Sequence, residues 1–252
     1  LRISLTDNCN LRCFYCMPEE DYLFTPASKL MQPDEIYELA KIFVDQGIDK
    51  IRLTGGEPLV RKDAAEIILA LSELPVKLTL TTNGTRLHEF IDVLQKARIQ
   101  SLNISLDTLQ PDTFMLLTRR NQFQTVMNNI QLLLDKNFHV KLNVVVMRGI
   151  NEKEILDFVA WTKDSPIHVR FIEFMPFDGN HWKSDKVITM AEMLEVIGKS
   201  YAYTRLSDEK HDTAKKFQVP GHAGTFAMIT TMSANFYGDC NRLRLTADGK
   251  MK

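Results

Sequence analysis

Three of the four cysteines in this 252-residue chain fall within one eight-residue run, "CNLRCFYC", as Cys9, Cys13 and Cys16. Spacings of four and three on a single loop let three thiolates reach three irons of a cubane cluster and leave the fourth iron open. Zinc is the alternative chemistry. It takes four protein ligands in a closed tetrahedron, and the nearest histidine along the chain is His88. Asn10 and Arg12, set between the thiols, fit poorly with an inert core role. Four cysteines in a chain of this length make no disulfide framework, which points to a reducing compartment.

The elements that must position this loop follow from periodicity. Runs alternating with period two predict strands near residues 2–6, 50–54, 77–82, 101–106, 140–146 and 168–174. Amphipathic helices separate them: "PDEIYELAKIFVDQG", "DAAEIILALSEL", "LHEFIDVLQKA", "FQTVMNNIQLLLDKN" and "NEKEILDFVAWTK". Asn151 and Glu154 open the last of these at capping-box spacing. Strand–helix alternation implies a parallel sheet with helices outside it. The expected fold class is α/β, a partial (β/α)6 TIM-like barrel over residues 1–176 with a small C-terminal α+β appendage over 177–252. In the appendage, "DGNHW" reads as a loop, Thr189–Gly198 as a helix and Ser207–Lys216 as a polar connection. "TFAMITTM" and "RLRLTADGK" read as strands.

Helices outside a barrel require apolar outer strand faces. Leu1, Ile3 and Leu5 therefore point outward and Arg2, Ser4 and Thr6 inward. The same rule sends inward Lys50, Arg52 and Thr54, then Thr79 and Thr81, then Asn103, Ser105 and Asp107, then Lys141, Asn143 and Arg170. Glu173 breaks this register, which suggests a bulge or the end of the strand. A barrel interior is ordinarily a stack of branched apolar side chains, and unpaired buried charge costs several kcal/mol per ion. These cations must meet water, a ligand or acids such as Asp107, Glu57 and Glu173. A polyanion would complete them, since Arg and Lys are the usual partners of phosphate.

The cysteine run resembles the CxxxCxxC loop of radical S-adenosylmethionine (SAM) enzymes. Its setting resembles the GTP 3′,8-cyclases, the molybdenum cofactor biosynthesis protein A family. The matching pieces are "LRISLTDNCNLRCFYCMP", "DKIRLTGGEPLVR", "TTNG", "NISLDTL", "VKLNVVVMRGIN", "VRFIEFMPF" and "CNRLRLTADGK", in family order along the whole chain. The resemblance implies a [4Fe–4S] cluster on Cys9, Cys13 and Cys16 whose open iron is chelated by SAM. It implies SAM contacts at Tyr15, Gly55, Gly56, Ser105 and Met175. It also implies GTP contacts at Arg2, Arg52, Thr81 and Lys141, with Arg242 and Arg244 reaching the substrate from the appendage. Arg2, Arg242 and Arg244 are the candidate catalytic residues. The implied reaction draws hydrogen from C3′ of the GTP ribose and joins that carbon to guanine C8, giving (8S)-3′,8-cyclo-7,8-dihydroguanosine 5′-triphosphate.

The family also holds a second [4Fe–4S] cluster, on a C-terminal CxxC pair and a third cysteine beyond "DGK". Here Cys240 is in place, Tyr237 stands at the first position, and the chain stops at Lys252. That cluster is therefore expected to be impaired, and the C-terminal region to be truncated. Other readings stay open: a different radical SAM reaction on a phosphorylated substrate, or a non-catalytic member binding nucleotide and a partner. The 31 Lys and Arg nearly balance the 32 Asp and Glu, which disfavours a nucleic-acid binder or a membrane-surface protein. No apolar run is long enough to span a bilayer. Expected partners are GTP, an electron donor, cyclic pyranopterin monophosphate synthase downstream, and a second copy in a homodimer. The expected location is the cytoplasm or the mitochondrial matrix.

Overall fold

Alternation along the strands divides the molecule into a dry side and a polar side. In the computed structural model, which describes residues 1–17, 23–176, 180, 182–208, 212–233 and 242–252, Ile3, Leu5, Ile51, Leu53, Leu80, Ile104, Leu142 and Phe171 are fully buried. Their alternates Arg2, Ser4, Arg52, Thr54, Thr81, Ser105, Lys141, Asn143 and Arg170 are only partly covered. Burying such an apolar strand side chain contributes about 1.5–3 kcal/mol, so the outer face sets the register.

Six strands form the expected parallel series: β1 (Arg2–Ser4), β2 (Lys50–Thr54), β3 (Lys77–Thr82), β4 (Ser101–Ser105), β5 (His139–Val146) and β6 (His168–Glu173). Helices follow them: α1 (Pro33–Asp45), α2 (Ala64–Leu71), α3 (Leu87–Lys96), α4 (Pro111–Thr118), α5 (Phe123–Asp135) and α6 (Ile155–Trp161). Helix α4 is absent from the expected set, although Pro111 at its first turn and Asp112 beside it are good starting signals. Glu173 does not interrupt the sheet. It is the last residue of β6, in register with Val146, and it lies on the helix-facing side.

The C-terminal residues extend the same sheet at both ends. After α7 (Met190–Gly198) come β7 (Thr204–Arg205), β8 (Ala214–Gln218), β9 (Thr225–Ile229) and β10 (Arg244–Leu245). The strand order is β10-β1-β2-β3-β4-β5-β6-β9-β8-β7. β9 runs parallel to β6 and β10 parallel to β1, whereas β7 and β8 are antiparallel. Strand β8 begins inside the stretch expected to be a polar connection. The barrel is open, with β10 and β7 as its two ends. No helix among the described residues is long and apolar enough to cross a membrane.

Asn151 and Glu154 do not form the expected capping box. Asn151 is buried; its Oδ1 accepts from Met147 N (2.8 Å), and its Nδ2 donates to the Asp107 carbonyl (2.6 Å) and the Val145 carbonyl (2.8 Å). Glu154 accepts from Thr108 Oγ1 (2.7 Å) and Leu109 N (2.6 Å). The pair thus fastens the loops after β4 and β5, whereas a reciprocal box is formed by Thr189 and Glu192 at the start of α7. Loss of a helix cap costs about 1 kcal/mol. Asn151→Ala, which strands several buried backbone groups, should cost about 3 kcal/mol or more. Urea unfolding with unchanged slope is the measurement, and a loss near 1 kcal/mol would return Asn151 to a cap.

Candidate active site

The cysteine loop leaves β1 at the C-terminal mouth of the sheet and is held from below by the "GGEP" turn. Gly56 N donates to Thr6 O (2.7 Å) and Glu57 N to Asn8 O (2.7 Å). A Cβ on Gly55 would stand 2.5 Å from Thr6 O, and one on Gly56 would stand 2.3 Å from both Asp7 O and Asn8 O. Only glycine permits this approach. From the other side, Arg12 N donates to Thr118 O (2.9 Å) and Phe14 N to Leu117 O (3.1 Å), docking the loop on the end of α4. Cys16 N closes a turn onto Cys13 O (2.9 Å). The Arg12 guanidinium donates to the carbonyls of Cys9 and Leu11 within the loop.

Two buried carboxylates hold the neighbouring strand ends. Glu57 accepts from Thr82 Oγ1 (2.7 Å), Asn83 N (2.6 Å) and Leu59 N (3.1 Å), and its burial pushes it up to about 7. Asp107 accepts from the Tyr15 hydroxyl and from Val145 N (2.8 Å); burial raises it to about 6. Glu173 accepts from Met190 N (2.8 Å), Met232 N (2.7 Å) and Ser233 N (2.8 Å). The three acids considered as partners for the inner cations thus serve backbone and hydroxyl donors.

Cys9 and Cys13 are half-buried and Cys16 is exposed. Loss of hydration around the sulfurs raises all three thiols; the charge of Asp107 adds to the effect at Cys13 and Cys16, and that of Glu57 at Cys9. Cys13 is also raised by the two other thiols. Thiols raised in this way ionise readily only beside a strongly positive partner. Among the described residues, no three His, Cys, Asp or Glu side chains gather about one ion position. A cavity of about 40 Å³ behind the loop is lined by Cys13, Tyr15, Asn83, Ser105 and Asp107, among others. Met175 lies just beyond β6, its carbonyl accepting from Asn180 Nδ2 (2.9 Å).

The inner face carries the cations in rows. Arg244, Arg2, Arg52 and Thr79 are successive register partners, as are Thr81, Asn103, Lys141 and His168, and then Ser105, Asn143 and Arg170. β1 and β6 are five places apart in the sheet, about 24 Å if it were flat. Yet burial and then repulsion from Arg52 and Arg2 depress Arg170 to about 10. The cations of β1, β2 and β6 thus act on one another across the open barrel. Burial, then Arg170, Lys50 and Arg52, lower Lys141 to about 8. Burial lowers Arg52, with Arg242 adding to it. His168 is pushed to about 3 by burial first and so stands neutral against Thr225 Oγ1 (2.6 Å). Arg170 Nε and Asn143 Oδ1 are buried without a hydrogen-bond partner, open valences of the kind a polar ligand satisfies.

Residues 3–162 match the Radical SAM superfamily, and residues 167–252 match Molybdenum Cofactor Synthesis C. The "GTP 3′,8-cyclase" of Petrotoga mobilis is 40% identical over 261 residues, covering 100% of this chain and 79% of that protein. The chain belongs to the GTP 3′,8-cyclase family of the radical SAM superfamily. Among other relatives in and around this family, the mitochondrial GTP 3′,8-cyclase of Arabidopsis thaliana is 50% identical over the whole chain, which spans 66% of it. "Molybdenum cofactor biosynthesis protein 1" of Bos taurus is also 50% identical, and there the chain spans only 40% of the relative. Streptococcus suis SuiB bound to S-adenosylmethionine shares the fold at TM-score 0.66 and 17% identity, over 99% of this chain and 58% of that one. Membership of the radical SAM superfamily implies a [4Fe–4S] cluster and SAM.

Against this family background, the candidate residues fall into two groups. Cys9, Cys13, Cys16, Tyr15 and Ser105 lie around the mouth, with Gly55 and Gly56 packed beneath the loop. Arg2, Arg52, Thr81, Lys141 and Arg244 line the inner face, and Arg242 is near enough to Arg52 to repel it. Cys240 and Tyr237 lie outside the described residues. Lys50, Asn143 and Arg170 belong with the inner-face group by register. Asn83 was not singled out in sequence, although "TTNG" carries it.

Two outcomes test this arrangement. Gly56→Ala should displace the cysteine loop and reduce reconstituted iron several-fold, measured against protein with unchanged far-UV circular dichroism. Lys141 is depressed on folding, so its destabilisation is fully present below about pH 8 and fades as pH rises toward the ordinary lysine value. Without ligand, Lys141→Met should be more stable than the parent at pH 7, by on the order of 1 kcal/mol after solvent screening. That difference should shrink from pH 8 to pH 10 in urea titrations; a constant difference would remove Lys141 from the repelling set.

Proposed function

We propose that this chain converts GTP to (8S)-3′,8-cyclo-7,8-dihydroguanosine 5′-triphosphate, the first step of molybdenum cofactor biosynthesis. The observation that carries the reading is the set of mutually repelling cations on the inner face of the open barrel, opening toward a loop of three thiols. In this reading Cys9, Cys13 and Cys16 hold the [4Fe–4S] cluster, and Tyr15, Gly55, Gly56, Ser105 and Met175 receive SAM. When bound, the cluster and SAM supply the one-electron chemistry that takes hydrogen from the ribose.

The chain's own task is orientation. Arg2, Lys50, Arg52, Lys141 and Arg170 hold the triphosphate through charge-assisted hydrogen bonds, with Thr81 and Asn143 adding neutral contacts. Arg242 and Arg244 approach from the β10 side. Fixing the phosphates low on the inner face aims the ribose at the cysteine mouth, and such positioning can supply much of a rate enhancement. Further expected partners are an electron donor, cyclic pyranopterin monophosphate synthase as consumer of the product, and a second copy of the chain. The clustered thiols support a reducing location, cytoplasm or mitochondrial matrix.

Anaerobic reconstitution followed by GTP, SAM and dithionite should give 5′-deoxyadenosine and the cyclised nucleotide by mass spectrometry, with Cys13→Ser inactive. SAM cleavage without cyclised product would favour another radical SAM substrate; GTP binding without SAM cleavage would favour a non-catalytic member. Arg52→Ala and Arg170→Ala should each weaken GTP binding about 10- to 100-fold, the range for a charged hydrogen bond. An anion draws a proton onto Lys141, so GTP affinity should fall as pH rises past about 8 and binding at pH 8 should take up protons. Calorimetry in two buffers of different ionisation enthalpy reads that uptake, and its absence would place the phosphates elsewhere.

A further inference from the structure

We infer that Asn83 is a positioning residue that polarises the sulfur of Cys9, through the carboxamide hydrogen bond that joins them. The inference rests on Cys9 being a cluster ligand and deepens that reading.

The carboxamide orientation follows from its partners. Asn83 Oδ1 accepts from both Thr85 N (3.0 Å) and Thr85 Oγ1 (2.7 Å). Its Nδ2 must then donate, and it does so to Asn10 Oδ1 (2.8 Å) and to Cys9 Sγ (3.7 Å). Both amide hydrogens and the carbonyl oxygen are thereby engaged, and a flipped amide would set oxygen against Asn10 Oδ1 and N–H against Thr85 N. Asn10 Nδ2 returns a bond to Thr85 Oγ1 (2.8 Å), closing a ring of three side chains. The backbone is equally fixed: Asn83 N donates to buried Glu57 (2.6 Å), and the turn continues through Gly84 at a φ of +82°. A Cβ there would press on Ile104 at 3.1 Å.

Cys9 Sγ also accepts from Leu11 N (3.4 Å). Cys9 is thus met by two N–H donors, whereas Cys16 is exposed at the loop's other end. Hydrogen bonds to ligating sulfur stabilise the more negative, reduced form of an iron–sulfur cluster and raise its reduction potential. Asn83 therefore makes one corner of the cluster easier to reduce than the bare loop would.

The test uses reconstituted full chain and an electron-paramagnetic-resonance-monitored reductive titration without GTP. Asn83→Leu removes the donor at similar volume, and Thr85→Val keeps Asn83 but removes the hydroxyl that helps fix its orientation. The expected result is a more negative midpoint in Asn83→Leu and a smaller shift of the same sign in Thr85→Val, at parent iron content. An unmoved midpoint in Asn83→Leu with full iron overturns the inference. Should Asn83→Leu fail to take up iron, Thr85→Val decides: a negative shift supports the inference and a parent midpoint overturns it. A parent chain that binds no cluster would instead defeat the reading of the cysteine loop itself.

Discussion

Repulsion between like charges on the concave side of the sheet is the constraint around which the molecule is arranged. Arg170 answers to Arg52 and Arg2 across the opening, and Lys141 answers to Arg170, Lys50 and Arg52. None of this favours folding. It is sustained because the opposite face buries Ile51, Leu53, Leu142, Val169 and Phe171 completely, each contributing about 1.5–3 kcal/mol. The apolar face determines the register, and register then forces the cations together. A surface that opposes folding but is preserved by packing behind it is what a highly charged ligand requires.

The carboxylates complete the same logic. Glu57, Asp107, Glu154 and Glu173 could have neutralised the inner face. Each instead gathers donors at a strand end: the "TTNG" turn, the Tyr15 hydroxyl, the loop after Asp107, and the start of α7 with Ser233. These groups stiffen the mouth while leaving the positive field of the interior intact. Buried acids bonded to backbone N–H groups resist rearrangement because moving them strands a charge. The mouth is therefore held by polar groups and the floor by apolar ones.

Much of the architecture was legible from period two alone. Lys50, Arg52 and Thr54 alternating with Ile51 and Leu53 identified both faces of β2, and the same rule served the other parallel strands. What escaped was tertiary. Asn151 and Glu154 stand at capping-box spacing, yet Asp107, Thr108 and Val145 claim their side chains, and spacing carries no trace of such distant partners. Helix α4 is short, and its exposed Met115 and Leu116 blur the apolar stripe by which a helix is read. Strand β8 hides in "AKKFQ", where the lysines resemble a solvated connection. Within the candidate site the thiols and cations were visible as residue types. Asn83 was not, because its meaning depends on a contact with Cys9 across 74 positions.

β1 delivers the cysteine loop, yet one of its two neighbours is β10, paired through Arg2 with Arg244 and Ile3 with Leu245. During synthesis β1 must therefore wait with one flank unzipped until residue 245 has left the ribosome. Open strand edges invite mispairing, so the nascent chain carries its cysteine loop beside an unpaired strand edge until β10 is made.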